Sequence, residues 1–313
     1  MNSCYYTLFI FAVVIFLQCL SPTRAAKCHP DDEAGLLAFK SGITRDQMGI
    51  LSDWKKGTKC CSWVGVYCNT DRVTALRIIG ATVLGESYIS GTISPSLAKL
   101  QHLEGVYLTF HQNITGSFPQ FLFHLPKLKY VNFAGTSLSG PLPANFGALS
   151  QLKELLLEDN QFTGPIPTSI YNVTRLTTLI LGGNRFSGTI PDIFKSMKKL
   201  EHINLSGNRF SGKLPSSFAS LAPTLRYLDL SKNYLSGTIP NYFSRFQALY
   251  ALDLSKNQYS GVVPKIFANM SKLAYLNLSH NHLCGKLPVT KFPAESFAAN
   301  HCLCGSPLSP CKP

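Results

Sequence analysis

The sequence predicts an α/β solenoid of about nine stacked coils, with a parallel sheet on the concave side and disulfide-stapled ends. Three observations carry this. Glycines recur at an almost constant step, at Gly91, Gly116, Gly140, Gly164, Gly188, Gly212, Gly237, Gly261 and Gly285, the first in a looser context. The same words surround them: spaced leucines, then Asn, then an apolar residue, Gly and a Pro. Beyond the first 26 residues, cysteines gather in two clusters at the two ends. A fixed period of this size marks units that stack only on their neighbours and present a long open face.

The elements follow in order. Residues 1–25 read as a secretory signal. The apolar run Leu8 to Leu17 is too short to span a bilayer well, and small residues precede a cleavage expected after Ala25. The mature chain is therefore expected to be soluble and extracellular. Residues 26–72 form an N-terminal cap. Pro30-Asp31-Asp32-Glu33 is a helix-start signal with acids in the first turn. The helix it opens supplies Leu36, Leu37 and Phe39 as a lid, with Trp54 and Trp63 packed beneath.

Residues 73–288 carry the coils, with strands containing Val73, Leu103, Leu128, Leu152, Leu176, Leu200, Leu225, Leu249 and Leu273. Pairs such as Leu155 and Leu157 have the period of two of a strand with one buried face. The first coil is longer, and the extra residues around Ala81 to Tyr88 read as a loop. A column of buried amides is expected at Asn160, Asn184, Asn208, Asn233, Asn257 and Asn281, bonded to the backbone of adjacent coils, with Thr136 and Gln112 in that place earlier. The glycine four residues on suits a turn that a side chain would obstruct. Residues 289–313 form the C-terminal cap.

With eight cysteines left after signal removal, four disulfides are expected: Cys28, Cys60, Cys61 and Cys68 at one end, Cys284, Cys302, Cys304 and Cys311 at the other. Adjacent Cys60 and Cys61 rarely bridge each other, which leaves two pairings at the N-terminal end. No CxxC…CxxC spacing supports a metal, and no cofactor is implied. The nucleophile elbow, HExxH and phosphate loop are all missing from the sequence, so no enzymatic chemistry is expected. The formal charge is +13. Basicity outside the cell suggests an anionic surface as partner. The charges read as dispersed, and secretion removes nucleic acid as a target.

Side chains between the buried leucines should point to the concave side in two columns. One runs Arg77, Tyr107, Asn132, Leu156, Ile180, Asn204, Asp229, Asp253, Asn277; the other Ala75, Gly105, Tyr130, Glu154, Thr178, His202, Tyr227, Ala251, Tyr275. These positions vary while the leucines do not, as an interchangeable recognition surface would. Tyr107, Tyr130, Tyr227 and Tyr275 are anchors with large area and a polar handle. Exposed Leu156 and Ile180 make an apolar centre, with Glu154, Glu158 and Asp159 as an acidic patch beside it. Asn132, His202, Asp229 and Asp253 complete the candidate binding set. The competing reading of Asp229 and Asp253 is that they only bond neighbouring strands, and of His202 that it is a solvated face residue.

The words LSGPLP, FTGPIP, FSGTIP, LDLSKN and LNLSHN, with CHPDDEAGLLAFK…CCSWVGVYC and HLCGKLP…CLCGSPLSPC at the ends, resemble the secreted plant leucine-rich-repeat proteins of the polygalacturonase-inhibiting family. That resemblance implies a right-handed leucine-rich-repeat superhelix, plant defence, and a cell-wall location with pectin as the anionic surface. It favours Cys28–Cys60 and Cys61–Cys68, and pairs Cys284 with Cys302 and Cys304 with Cys311. It implies a monomer that binds a pectin-degrading enzyme on its concave face. Leu156, Ile180, Gly182 and Gly183 depart from the charged central face expected of such inhibitors. The alternative is a signalling partner that binds a peptide or receptor ectodomain. Glycans are expected at Asn113, Asn172 and Asn269; Asn204 and Asn277 also lie in sequons, but in concave strands, where poor occupancy is expected. An ice-binding role lacks a regular Thr array.

Overall fold

The computed structural model describes residues 28–80 and 89–312. The predicted signal and the predicted loop at Ala81 to Tyr88 lie outside the described residues. The chain winds into coils that stack in register. Nine parallel strands line one side: Arg72–Ile79, Gly105–Thr109, Tyr130–Asn132, Glu154–Leu156, Thr178–Ile180, His202–Asn204, Tyr227–Asp229, Ala251–Asp253 and Tyr275–Asn277. Most start two residues after the leucine that opens the repeat word, because that leucine ends the turn from the preceding helix. Val66–Asn69 adds an antiparallel strand at the N-terminal edge.

A second sheet was not legible in the sequence. The words FTGPIP and FSGTIP, read as turn and extended segment, are themselves short parallel strands, such as Gln161–Gly164 and Arg185–Thr189. Together with Ile43–Asp46 and Cys302–Cys304 they make an eleven-stranded sheet. The two sheets stack differently. On the concave side equivalent residues pair directly, Thr178 with His202. On the second sheet Gly140 pairs with Phe162 and Gly164 with Phe186, a slip of two residues per coil. Short 3-10 helices such as Thr168–Asn172 close each coil on the outer side; the one α-helix among the described residues is Pro30–Ser41.

Each coil buries its leucines against the next. Leu155, Leu179, Ile203, Leu228, Leu252 and Leu276 are sealed, and Phe162, Phe186 and Phe210 stack near-parallel with centroids 6.0 and 6.2 Å apart. Between the sheets runs the amide column. Asn184 is typical: Nδ2 donates to Leu157 O of the preceding coil and to Leu181 O and Gly182 O of its own, while Oδ1 accepts from Phe162 N of the preceding coil. Every donor and acceptor of the buried amide is thus engaged. The residue before each such position is left-handed, even where it is not glycine, as at Asp159, Lys232, Lys256 and His280. The nine period glycines are also at positive φ, which accounts for their recurrence.

Two positions in the column differ from expectation. Gln112 is exposed; buried His111 takes the place instead, its Nε2 3.2 Å from Ile78 O. The coil has one extra residue between His111 and Ile114, so counting back from Asn160 lands one residue late. Burial holds the His111 imidazole neutral, down to about 4. At the other end the column continues past Asn281 to Asn300, which donates to Leu278 O and accepts from Leu283 N.

The N-terminal helix is capped by His29, whose Nδ1 accepts from Asp31 N. It presses Leu36 and Phe39 onto the first coil, and Leu37 is half-buried. Trp54 and Trp63 stack at 5.5 Å beneath it. Asp32, expected only to suit the helix N-terminus, is fully buried and holds Arg72 through both carboxylate oxygens, at 2.9 and 3.0 Å, and Val73 N at 2.8 Å. This ties the cap to the first strand. The four disulfides are Cys28–Cys60, Cys61–Cys68, Cys284–Cys302 and Cys304–Cys311.

Candidate functional site

The concave columns form as the repeat register dictates. Arg77, Tyr107, Asn132, Leu156, Ile180, Asn204, Asp229, Asp253 and Asn277 lie side by side across nine strands. The column from Ala75 to Tyr275 is aligned in the same way. Leu156 and Ile180 are half-buried rather than exposed, because the strands curve inward and neighbouring side chains cover their flanks.

Three groupings emerge along the face. At the N-terminal end the Arg77 guanidinium lies 4.6 Å from the Tyr107 ring centroid and 5.3 Å from that of Tyr67. Burial pushes the Tyr107 phenol up to about 12. In the middle, Tyr130, Glu154 and Thr178 sit abreast, beside Asn132, Leu156 and Ile180. Asn132 Oδ1 accepts from Ala134 N.

Glu158 follows on the same strand face as Glu154 and Leu156. Its lateral neighbours, Ala134 and Gly182, carry no polar side chain, and although its own backbone amide favours the charged form, its Oε2 is sealed without a partner among the described residues. Burial pushes the Glu158 carboxyl up to about 7, and Asp159 adds to the shift. Burial also raises Glu154 and Asp159. Asp159 stands exposed on the left-handed turn, flanked by Gly135 and Gly183.

Toward the C-terminal end, His202 stacks on Tyr227 at 4.8 Å and 12°, and Tyr250 tilts against Tyr227 at 5.6 Å. Burial lowers the His202 imidazole. Asp229 and Asp253 are adjacent. Asp229 accepts from Ser231 N; Asp253 accepts from Ser255 N, Tyr275 Oη and Asn277 Nδ2. The strand-bonding role is therefore present, yet no ion pair reaches either carboxylate among the described residues. Burial first, then Asp253, raises the Asp229 carboxyl.

The cations are spread over the cap, the outer helices and the flanks, but the concave columns are poor in them. The two concave columns hold one cation, Arg77, against Glu154, Asp229 and Asp253. Exposed cations lie on the flanks: Arg175, Lys198 and Lys199 before the strands, and Arg185, Arg209, Lys213, Lys232, Lys256 and Lys286 on and beside the second sheet. The sequence hides this because rim and face positions alternate within a few residues.

The second sheet also carries a hydroxyl at one repeat position, including Ser139, Thr163, Ser187, Ser211, Ser236 and Ser260. The two-residue slip sets each beside a long or ring side chain: Thr163 beside Arg185, Ser187 beside Arg209, Ser211 beside Tyr234. On their other side some of these hydroxyls meet another hydroxyl, Ser211 beside Thr189 and Ser260 beside Thr238. Asn113, Asn172 and Asn269 are exposed, the last two at the ends of outer 3-10 helices. Asn277 Nδ2 is engaged by Asp253 and Tyr275.

Residues 29–69 match the leucine rich repeat N-terminal domain, and residues 151–173, 174–222 and 223–283 match leucine rich repeats. The chain is 33% identical over 135 residues to DNA damage-repair/toleration protein DRT100 of Arabidopsis thaliana, covering 40% of this chain and 36% of that protein. It is 31% identical over 133 residues to a polygalacturonase inhibitor of Pyrus communis, covering 42% and 38%. It thus spans well under half the length of these relatives. A plant ice-binding protein superposes with a TM-score of 0.75 at 31% identity, covering 91% of this chain and 99% of the other. No helix among the described residues is long and apolar enough to cross a membrane.

Proposed function

The chain belongs to the leucine-rich-repeat proteins, and from that premise we propose that it is an extracellular recognition module of the plant cell wall that grips a protein partner on its concave face. The observation that carries this reading is the separation of the two surfaces. The concave columns are aromatic, apolar and acidic, whereas exposed cations flank them. Such a face suits a large partner meeting many coils at once. The finer reading is inhibition of a pectin-degrading enzyme. Tyr107, Tyr130, Glu154, Leu156, Glu158, Asp159, Ile180 and Tyr227 would meet the enzyme and block substrate access, with no chemistry on this chain. Similarity to a polygalacturonase inhibitor supports it. Exposed Arg185, Arg209 and Lys213 on the second sheet would hold the protein to pectin carboxylates while leaving the concave face free.

The test is a reducing-sugar assay of fungal polygalacturonases with purified protein, alongside affinity capture from wall extract. Slowed hydrolysis, weakened by Tyr130→Ala, supports inhibition. Capture of a receptor ectodomain with no effect on any hydrolase overturns inhibition in favour of signalling.

A further inference from the structure

A groove of about 290 Å³ opens in the first two coils, where the second sheet turns into the outer 3-10 helices. Its walls are the ends of the strands Ile89–Thr92 and Asn113–Gly116 and the segments that follow them. Ile93, Phe118 and Phe121 make an apolar floor. Thr92, Thr115, Ser117 and Gln120 supply hydroxyls and an amide at the rim, and all four are exposed. At Gly116 the space that a Cβ would take is open, with no atom within 4 Å. No charged side chain lines the groove among the described residues.

An apolar floor under an uncharged polar rim gives an ion no counter-charge. It matches a neutral sugar, whose ring has C–H faces and hydroxyl edges. The volume stands near the lower limit of small-ligand sites, room for a sugar unit or two.

The chain carries the acceptor for such a group at the groove's mouth. Asn113-Ile114-Thr115 is a glycosylation sequon, and its threonine lines the groove. Ile114 is sealed, so strand alternation turns Asn113 and Thr115 to the same outward face, and Asn113 is exposed. Thr115 lies abreast of Thr92, and Asn113 abreast of Ser90 on the same pair of strands. Asn113 thus stands roughly 7 Å along its strand from the nearest wall of the groove. The sequons at Asn172 and Asn269 sit instead at the ends of outer 3-10 helices, away from it.

We propose that the first sugars of a glycan on Asn113 fold back along the strand and lie in this groove, with ring C–H faces on its floor and polar groups on its rim. This rests on the extracellular reading and adds a binding site to what was expected only as attachment. The tether does much of the work: a short link holds the sugar at about millimolar effective concentration, so contacts too weak to hold a free sugar suffice. The docked glycan bridges the first two coils and leaves the concave columns open.

The test uses the full protein from a plant host, with its glycans kept in high-mannose form. Endoglycosidase H removes them under native conditions, and mass spectrometry follows Asn113 beside Asn172 and Asn269 in the same tube. Only the undocked fraction is open to the enzyme, so release at Asn113 is expected to be about tenfold slower than at the other two. Denatured protein should show no difference. Ser117→Trp fills the groove from its rim, leaves the sequon intact, and should bring Asn113 to the rate of the others. Hydrogen exchange across residues 114–121 should be slower with the glycan than in Asn113→Gln, and this slowing should vanish in Ser117→Trp. Equal release at the three sites, protection that survives Ser117→Trp, or an Asn113 without glycan while Asn172 carries one overturns the groove. Glycan missing from all three sequons overturns the extracellular reading with it.

Discussion

Glu158 offers the sharpest test of how the face is built. Its carboxyl sits between Ala134 and Gly182, with Oε2 sealed and unpartnered, and moves from an ordinary 4.5 to about 7. A raised acid binds its proton more tightly in the fold than in the unfolded chain. Stability is therefore greatest below the ordinary carboxylate range, falls as pH climbs toward 7, and is constant above. The shift corresponds to about 3 kcal/mol at most between pH 4.5 and pH 8. Glu158→Gln keeps the shape and removes the proton. Urea unfolding of wild type and variant at pH 4.5, 6 and 8 checks it. The two should differ little at pH 4.5, and the variant should gain steadily, by up to that amount, at pH 8. A melting difference on the order of 5–10 °C is expected at the higher pH. If the gap between the two proteins does not change with pH, the carboxyl is not held protonated by burial and the account of this coil is wrong.

Asn208→Ala strands Phe186 N and takes one of two donors from Leu181 O, Leu205 O and Ser206 O, which keep Asn184 Nδ2, Asn233 Nδ2 and Gly183 N, and should cost about 1–3 kcal/mol in denaturant titrations. Arg72→Ala leaves the Asp32 carboxylate buried without its cation and should cost about 3–5 kcal/mol, seen as early loss of near-UV signal from the stacked Trp54 and Trp63. Peptide mapping of protein from a plant host should find glycan on Asn172 and Asn269 but little on Asn277, whose amide is occupied by Asp253 and Tyr275.

The concave columns were legible because period two and a fixed repeat leave no freedom in register; once Leu155 is inward, Leu156 must face outward beside Ile180. The second sheet was hidden because its strands are four or five residues long and interrupted by a left-handed glycine, which reads locally as a turn. His111 was missed through a one-residue insertion that only packing reveals. Asp32 looked like a helix-terminus acid because its partner, Arg72, lies forty residues on. The flank-and-face division of charge depends on which way each residue of a short strand points, and composition averages that away.

The amide column has a polarity. Each Asn reaches backward, supplying donors and an acceptor to the coil that precedes it, so every coil is finished by its successor. Fraying from the C-terminal side strips a donor and an acceptor from the backbone of the coil that remains, and loss at the N-terminal side strips the same two bonds from the side chain of the next Asn. Asn300, braced by Cys284–Cys302, is the last clasp in that line. Reduction of that bond should loosen Asn300 first and expose the Leu278 and Leu283 backbone that it covers.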